Sequence, residues 1–84
     1  MATVRLTAEA MEQLRRLPNA MIGRVTKLLE RLGRWPDVSG AKALSGALAG
    51  WYRLRTGDYR VRFRVQGDTV NVDKIGHRRD FYEV

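Results

Sequence analysis

The chain has 84 residues with no cysteine and one histidine, and 16 basic against 9 acidic residues give a formal charge of +7. Disulfides, thiolate catalysis and thiolate metal sites are therefore excluded, and one histidine argues against a zinc site. Length and charge favour a single small domain, residues 1–84, with a polyanionic or acidic partner.

Thr3 to Leu6 reads as a short edge strand. Thr7 can cap a helix from about Ala8 to Leu17, with Met11, Leu14 and Leu17 as its apolar stripe and Pro18 as its stop. Asn19 can cap a second helix from Ala20 to about Leu32, where Ile22, Val25, Leu29 and Leu32 recur at helical spacing, widened by Met21 and Leu28. Gly33 suits the end of that helix. Arg34 to Gly50 is rich in glycine and small residues and reads as a crossing loop, with Trp35 as its anchor and one short turn near Ala41 to Leu44. Three strands follow, at Trp51 to Arg55, Asp58 to Gln66 and Val70 to about Ile75, joined by tight turns at Thr56-Gly57 and Gly67-Asp68.

Two helices followed by a meander indicate an α+β fold. An N-terminal helical hairpin packs on one face of a small twisted antiparallel sheet, and the other face is open to solvent. The N-terminal stretch MATVRLTAEAM lacks the apolar core of a signal peptide, and no segment is long enough to span a bilayer. The expectation is a cytoplasmic protein with no membrane partner.

Strand alternation puts Arg53, Arg55, Arg60, Arg62 and Arg64 on the open face, and Leu54, Tyr59, Val61, Phe63 and Val65 on the packed one. A turn at Thr56-Gly57 sets Arg53 opposite Arg60 and Trp51 opposite Arg62. Like charges directly across a ladder destabilise it, and an anion held between them reverses the sign, so Arg53 and Arg60 are candidate phosphate ligands. The second turn sets Arg62 opposite Asp73, a structural pair, and Arg64 opposite Asn71. Arg55, with Asp58 opposite, either pairs or reaches a phosphate. Lys74 shares the phase of Val70 and Val72; it either snorkels at the sheet edge or is turned by a bulge near Ile75. Trp51 either stacks on a base or covers the rim of the sheet, and Phe81 reads as core.

The hairpin WYRLRTGDYRVRFRV, followed by Gly76-His77-Arg78-Arg79-Asp80-Phe81-Tyr82, resembles the RelE/ParE family of bacterial type II toxins. The resemblance is strongest from Leu44 to Tyr82, and the N-terminal helices agree only in pattern. It implies a toxin that enters the ribosomal A site and cuts the mRNA there without a metal or other cofactor. The ribose 2′-hydroxyl attacks the adjacent phosphate and leaves a 2′,3′-cyclic phosphate. It also implies a cognate antitoxin, and operator DNA as a partner only through the toxin–antitoxin complex.

Residue by residue, the family's catalytic positions match Arg53, Arg55, Arg60, Arg78 and Tyr82. The arginines would hold the scissile phosphate and its transition-state charge, and Tyr82 would stack on a base. The best-known members carry lysines where this chain has Arg53 and Arg55. An arginine does not give up its proton at working pH, so the general base is open. His77 is the residue whose ordinary pKa lies near neutrality and is a further catalytic candidate; Tyr82 and Asp80 are others. The alternatives are a non-enzymatic DNA gyrase inhibitor like the ParE branch, or a degenerate toxin that only binds an antitoxin.

Overall fold

The computed structural model describes residues 1–81; Tyr82 lies outside the described residues. The elements are β1 (Thr3–Leu6), α1 (Ala8–Arg15), α2 (Asn19–Leu32), β2 (Lys42–Ala43), β3 (Trp51–Thr56), β4 (Tyr59–Gln66) and β5 (Thr69–His77). Short 3₁₀ turns cover Gly46–Leu48 and Arg78–Phe81. The strands form one sheet in the order β1-β5-β4-β3-β2. The fold is α+β as expected, but the sheet is mixed, because β1 lies parallel to β5.

The helices follow their caps. The Thr7 side chain accepts a hydrogen bond from Ala10 N at 3.0 Å, which opens α1. Pro18, rather than Asn19, occupies the cap of α2 and makes no side-chain bond there. Met11 is 48% exposed, so the buried position on α1 is Ala10 and not the methionine. Val25, Leu28 and Leu32 of α2 press on Leu54, Val61, Phe63, Val70, Val72 and Ile75 from the sheet. Trp35 anchors the crossing loop, edge-on to Tyr52 and Phe63 at centroid distances of 4.9 and 5.4 Å. That loop contributes β2 and a 3₁₀ turn where a single turn near Ala41 to Leu44 was expected.

The first hairpin has a different register from the expected one. Thr56 pairs with Tyr59, so the two-residue loop is Gly57-Asp58, not Thr56-Gly57. Gly57 has φ +58°, the positive φ that a Gly-first hairpin loop requires. The shift changes neighbours but not faces. Arg53 stands opposite Arg62 and Arg55 opposite Arg60.

The second hairpin starts in the expected register, with Arg64 opposite Asn71, but slips by one residue between Arg62 and Phe63. Asp73 is the extra residue, and Lys74 becomes the cross-strand partner of Arg62. The bulge reverses the phase of β5. Val70 and Val72 face the core before it, Ile75 faces the core after it, and Lys74 turns to the open face.

An arginine cleft on the open face of the sheet

One rung of the open face crosses four strands: Lys42 pairs with Arg53, Arg53 with Arg62, and Arg62 with Lys74. Four cations in a row would repel one another, and two of them are compensated locally. Arg62 donates from Nε to Asp73 Oδ1 at 3.0 Å and from Nη2 to Asp73 Oδ2 at 2.8 Å, the bidentate geometry that suits arginine. The bulge therefore sets both the backbone phase and the partner of Arg62. Lys74 donates to the Asp80 carbonyl and sits 4.8 Å from the centroid of the Phe81 ring. Trp51 covers the rim, with the guanidinium carbons of Arg62 and Arg64 at 5.4 and 5.1 Å from its ring centroid.

The next rung is Arg55, Arg60 and Gly76. Arg60 is 9% exposed and is the only buried charged residue among those described. Its Nη1 donates to Gly57 O at 2.9 Å and Tyr59 O at 3.3 Å, so the turn of the first hairpin holds it in place. Its pKa lies below the ordinary arginine value. Burial is the main cause, followed by the charges of Arg53, Arg55 and Arg78, while Asp58 works in the opposite direction. The group still stays charged at neutral pH. The fold thus maintains a desolvated cation ringed by three others, an environment whose potential an anion would relieve.

Gly76 makes room for the end of the chain. A Cβ on it would lie 3.3 Å from Asp80 Oδ2 and 3.7 Å from Phe81 Cε1. Lacking one, the terminal 3₁₀ turn folds back over β5, and Arg78 N donates to Asp58 O at 2.6 Å. The first hairpin's turn is thereby tied to the tail. A cleft of about 230 Å³ results, lined by Arg53, Arg60, Arg78 and Phe81. A second, of about 270 Å³, adjoins it and is lined by Gly40, Lys42, Arg53 and Arg55.

Of the residues singled out from sequence, Arg53, Arg60 and Arg78 share the first cleft, and Arg55 faces the second. His77 is not with them. It pairs with Tyr59, one residue out of phase with Arg60 and Gly76, and so faces the helix side. There it lines a different hollow with Gln13 and Leu17 of the α1 region, its ring 5.4 Å from that of Tyr59. Its Nδ1 accepts from Arg79 N at 3.2 Å.

Phe81 is a cleft residue rather than a core one. Alternation could not find it, because strand periodicity stops at the 3₁₀ turn. Lys42 was also missed, since β2 is too short to show a period. Arg5 is a third omission: β1 pairs it with Asn71, so it extends the cationic face on the far side of the sheet. Among the described residues no group of three or more His, Cys, Asp or Glu side chains could hold a metal, and no helix is long and apolar enough to cross a membrane.

Comparison with known proteins matches residues 4–82 to a sequence model described as the ParE toxin of the type II toxin-antitoxin system parDE. Toxin RelG of Mycobacterium tuberculosis is 35% identical over 83 residues, covering 95% of this chain and 94% of that one. Among solved structures, the toxin–antitoxin complex RelBE2 from the same organism contains a chain with TM-score 0.81 and 32% identity, covering 92% of this chain and 98% of its own length. The isolated E. coli RelE toxin superimposes with TM-score 0.76 at 17% identity, over 92% of this chain and 84% of that one, a likeness of fold alone.

Proposed function

Because the chain belongs to the RelE/ParE family of type II toxin–antitoxin toxins, we propose that it is a ribosome-dependent mRNA endonuclease whose scissile phosphate sits in the Arg53–Arg60–Arg78 cleft. The observation that carries this reading is the desolvated, turn-anchored Arg60 with Arg53 and Arg78 beside it. Fixed cations cost nothing to reorganise as charge builds on a phosphate, and they act most strongly where water is scarce.

In the reaction, the ribose 2′-oxygen forms a bond to phosphorus while the bond to the 5′-oxygen of the next nucleotide breaks. The products are a 2′,3′-cyclic phosphate and a 5′-hydroxyl. The arginines hold the non-bridging oxygens. Arg60 forms the floor, and Arg53 and Arg78 the walls. Phe81 at the lip offers a face for an unstacked base. Tyr82, which lies outside the described residues, is the position that the family resemblance gives for stacking on a base.

Among the described residues the cleft is lined by arginines and a phenylalanine, and no carboxylate or imidazole lines it. The 2′-hydroxyl proton therefore passes to water, helped by the local positive potential, and the leaving 5′-oxygen is protonated from water. His77 acts as a positioning residue, because it faces away from the cleft and holds the backbone of the tail that carries Arg78. No metal or cofactor has a part in this scheme. The partner is a cognate antitoxin, in keeping with RelBE2, a toxin–antitoxin complex. Operator DNA is reached through that complex, and the site of action is the cytoplasm.

The test is cleavage of mRNA on purified ribosomes, read by mapping new 5′ ends. Arg78→Ala should slow cleavage by a factor of roughly 100 or more, and wild-type protein should barely touch free RNA. Unchanged cleavage by Arg78→Ala would remove the cleft from the reaction. A second reading, a non-enzymatic DNA gyrase inhibitor, draws on the ParE description of the matching family. Cleaved gyrase–DNA complexes with intact mRNA would establish it. Absence of growth arrest without antitoxin would leave a binding module.

A further inference from the structure

β2 is two residues long, and both are exposed, so its pairing with β3 buries no side chain. Its register nevertheless places Lys42 directly across from Arg53. Like charges at that position weaken a ladder, and among the described residues no ion pair reaches Lys42, Arg53 or Arg55. These three side chains and Gly40 line the cleft of about 270 Å³. Gly40, at φ +86°, contributes backbone without a side chain to that wall.

Arg53 also lines the cleft that contains Arg60 and Arg78. The two hollows therefore share one side chain as their common wall, and they succeed one another across β2, β3 and β4. Neighbouring strands are about 4.8 Å apart, so the pair offers two separate anion positions side by side. A polymer with one negative charge at every link fits such a pair; a lone phosphate uses only half of it.

We propose that the Lys42–Arg53–Arg55 cleft is a second phosphate subsite, which seats the phosphodiester adjoining the one held at Arg60. Arg53 bridges the two phosphates, and Lys42 is a positioning residue. The inference rests on the reading of the Arg53–Arg60–Arg78 cleft as the place of the scissile phosphate.

The probes are two uncleavable 2′-O-methyl RNA oligonucleotides, a dinucleotide with one internal phosphate and a trinucleotide with two. Binding is followed by NMR titration at low salt. Wild-type protein should bind the trinucleotide roughly fivefold tighter than the dinucleotide. Lys42→Ala should abolish that advantage and leave the dinucleotide affinity unchanged, and Lys42→Arg should restore it. Lys27→Ala, an equal loss of charge on an exposed position of α2, should keep it. Wild-type protein that binds the two probes alike, or not at all, overturns the proposal. Equal weakening of both probes by Lys42→Ala and Lys27→Ala also overturns it, since Lys42 would then contribute only to the general field. On ribosomes, Lys42→Ala should raise KM and leave kcat in place. If wild-type protein cuts no mRNA, the nuclease reading fails, and the oligonucleotide comparison still decides the subsite.

Discussion

Replacing Arg55 by Gln should stabilise the protein. Arg55 stands directly across the ladder from Arg60, whose cation is already disfavoured by burial and by neighbouring positive charge. Like charges directly opposed on a ladder cost up to about 1 kcal/mol. Screening at low salt trims this, while the drier surroundings of Arg60 enlarge it. The expected gain is thus about 0.5–1 kcal/mol, which for a chain of this size raises Tm by about 2–8 °C.

The assay is thermal unfolding of wild-type and Arg55→Gln protein across a salt series. In about 1 M salt the screening length falls to about 3 Å, and most of the difference should vanish. Phosphate at constant ionic strength should stabilise the wild-type protein more than the variant, because an anion bound to the folded state relieves the same repulsion. A variant Tm equal to or below wild type at low salt would refute the reasoning. It would mean that Arg55 contributes packing that outweighs the repulsion.

Three further outcomes are expected. Gly76→Val should push Asp80 and Phe81 off β5 and cut ribosome-dependent cleavage by roughly tenfold or more, while unfolding measurements show a stable fold; unimpaired cleavage would show that the tail's seat on Gly76 is immaterial to Arg78. Asp73→Asn should cost about 1–2 kcal/mol in denaturant unfolding, because Arg62 loses a half-buried bidentate partner. The cleavage rate should rise with pH across about pH 6 to 9 with no limb from an enzyme group, and His77→Gln should keep that shape with less than a tenfold loss. Loss of a titrating limb in His77→Gln would make the histidine an acid or base. For Arg60 the sign is simple. Its folded pKa is lowered, so it holds its proton less firmly when folded, and stability from this group rises only as pH climbs through that folded value. That window lies far above neutrality, so across the working range the cost of Arg60 is constant.

The faces of the residues in β3 and β4 were legible because period two survives any even error. Placing the first loop at Thr56-Gly57 instead of Gly57-Asp58 moved every partner by two positions and left every face unchanged. The cationic side, the packed side and the Arg62–Asp73 pair could therefore be read from spacing. What could not be read was the pairing of Arg55 with Arg60, since Gly57 serves either loop and only its position as first loop residue decides. A bulge near Ile75 is one of the two ways the sequence offers to place Lys74; it falls at Asp73, because its position depends on how β4 and β5 twist together. The side of His77 was beyond reach because it needs β5 to run two residues past Ile75 and to change phase on the way. Lys42 and Phe81 belong to segments too short for a period, and only tertiary contact brings them to the arginines.

One inserted residue in β5 also divides that strand into two pieces of code. Before Asp73, even-numbered positions are read by the core; after it, odd-numbered ones are. The inner half can then drift as a hydrophobic wall under one set of constraints, while the outer half, from Lys74 to His77, varies under another. Deleting Asp73 would do more than remove a carboxylate. With the extra residue gone, the ladder would close in one continuous register, Lys74 following Val72 directly, and Lys74, Ile75 and Gly76 would keep the faces they have. The two stretches would merge into one strand of plain alternation, with the arginines of the cleft still on their face and Arg62 short of that carboxylate.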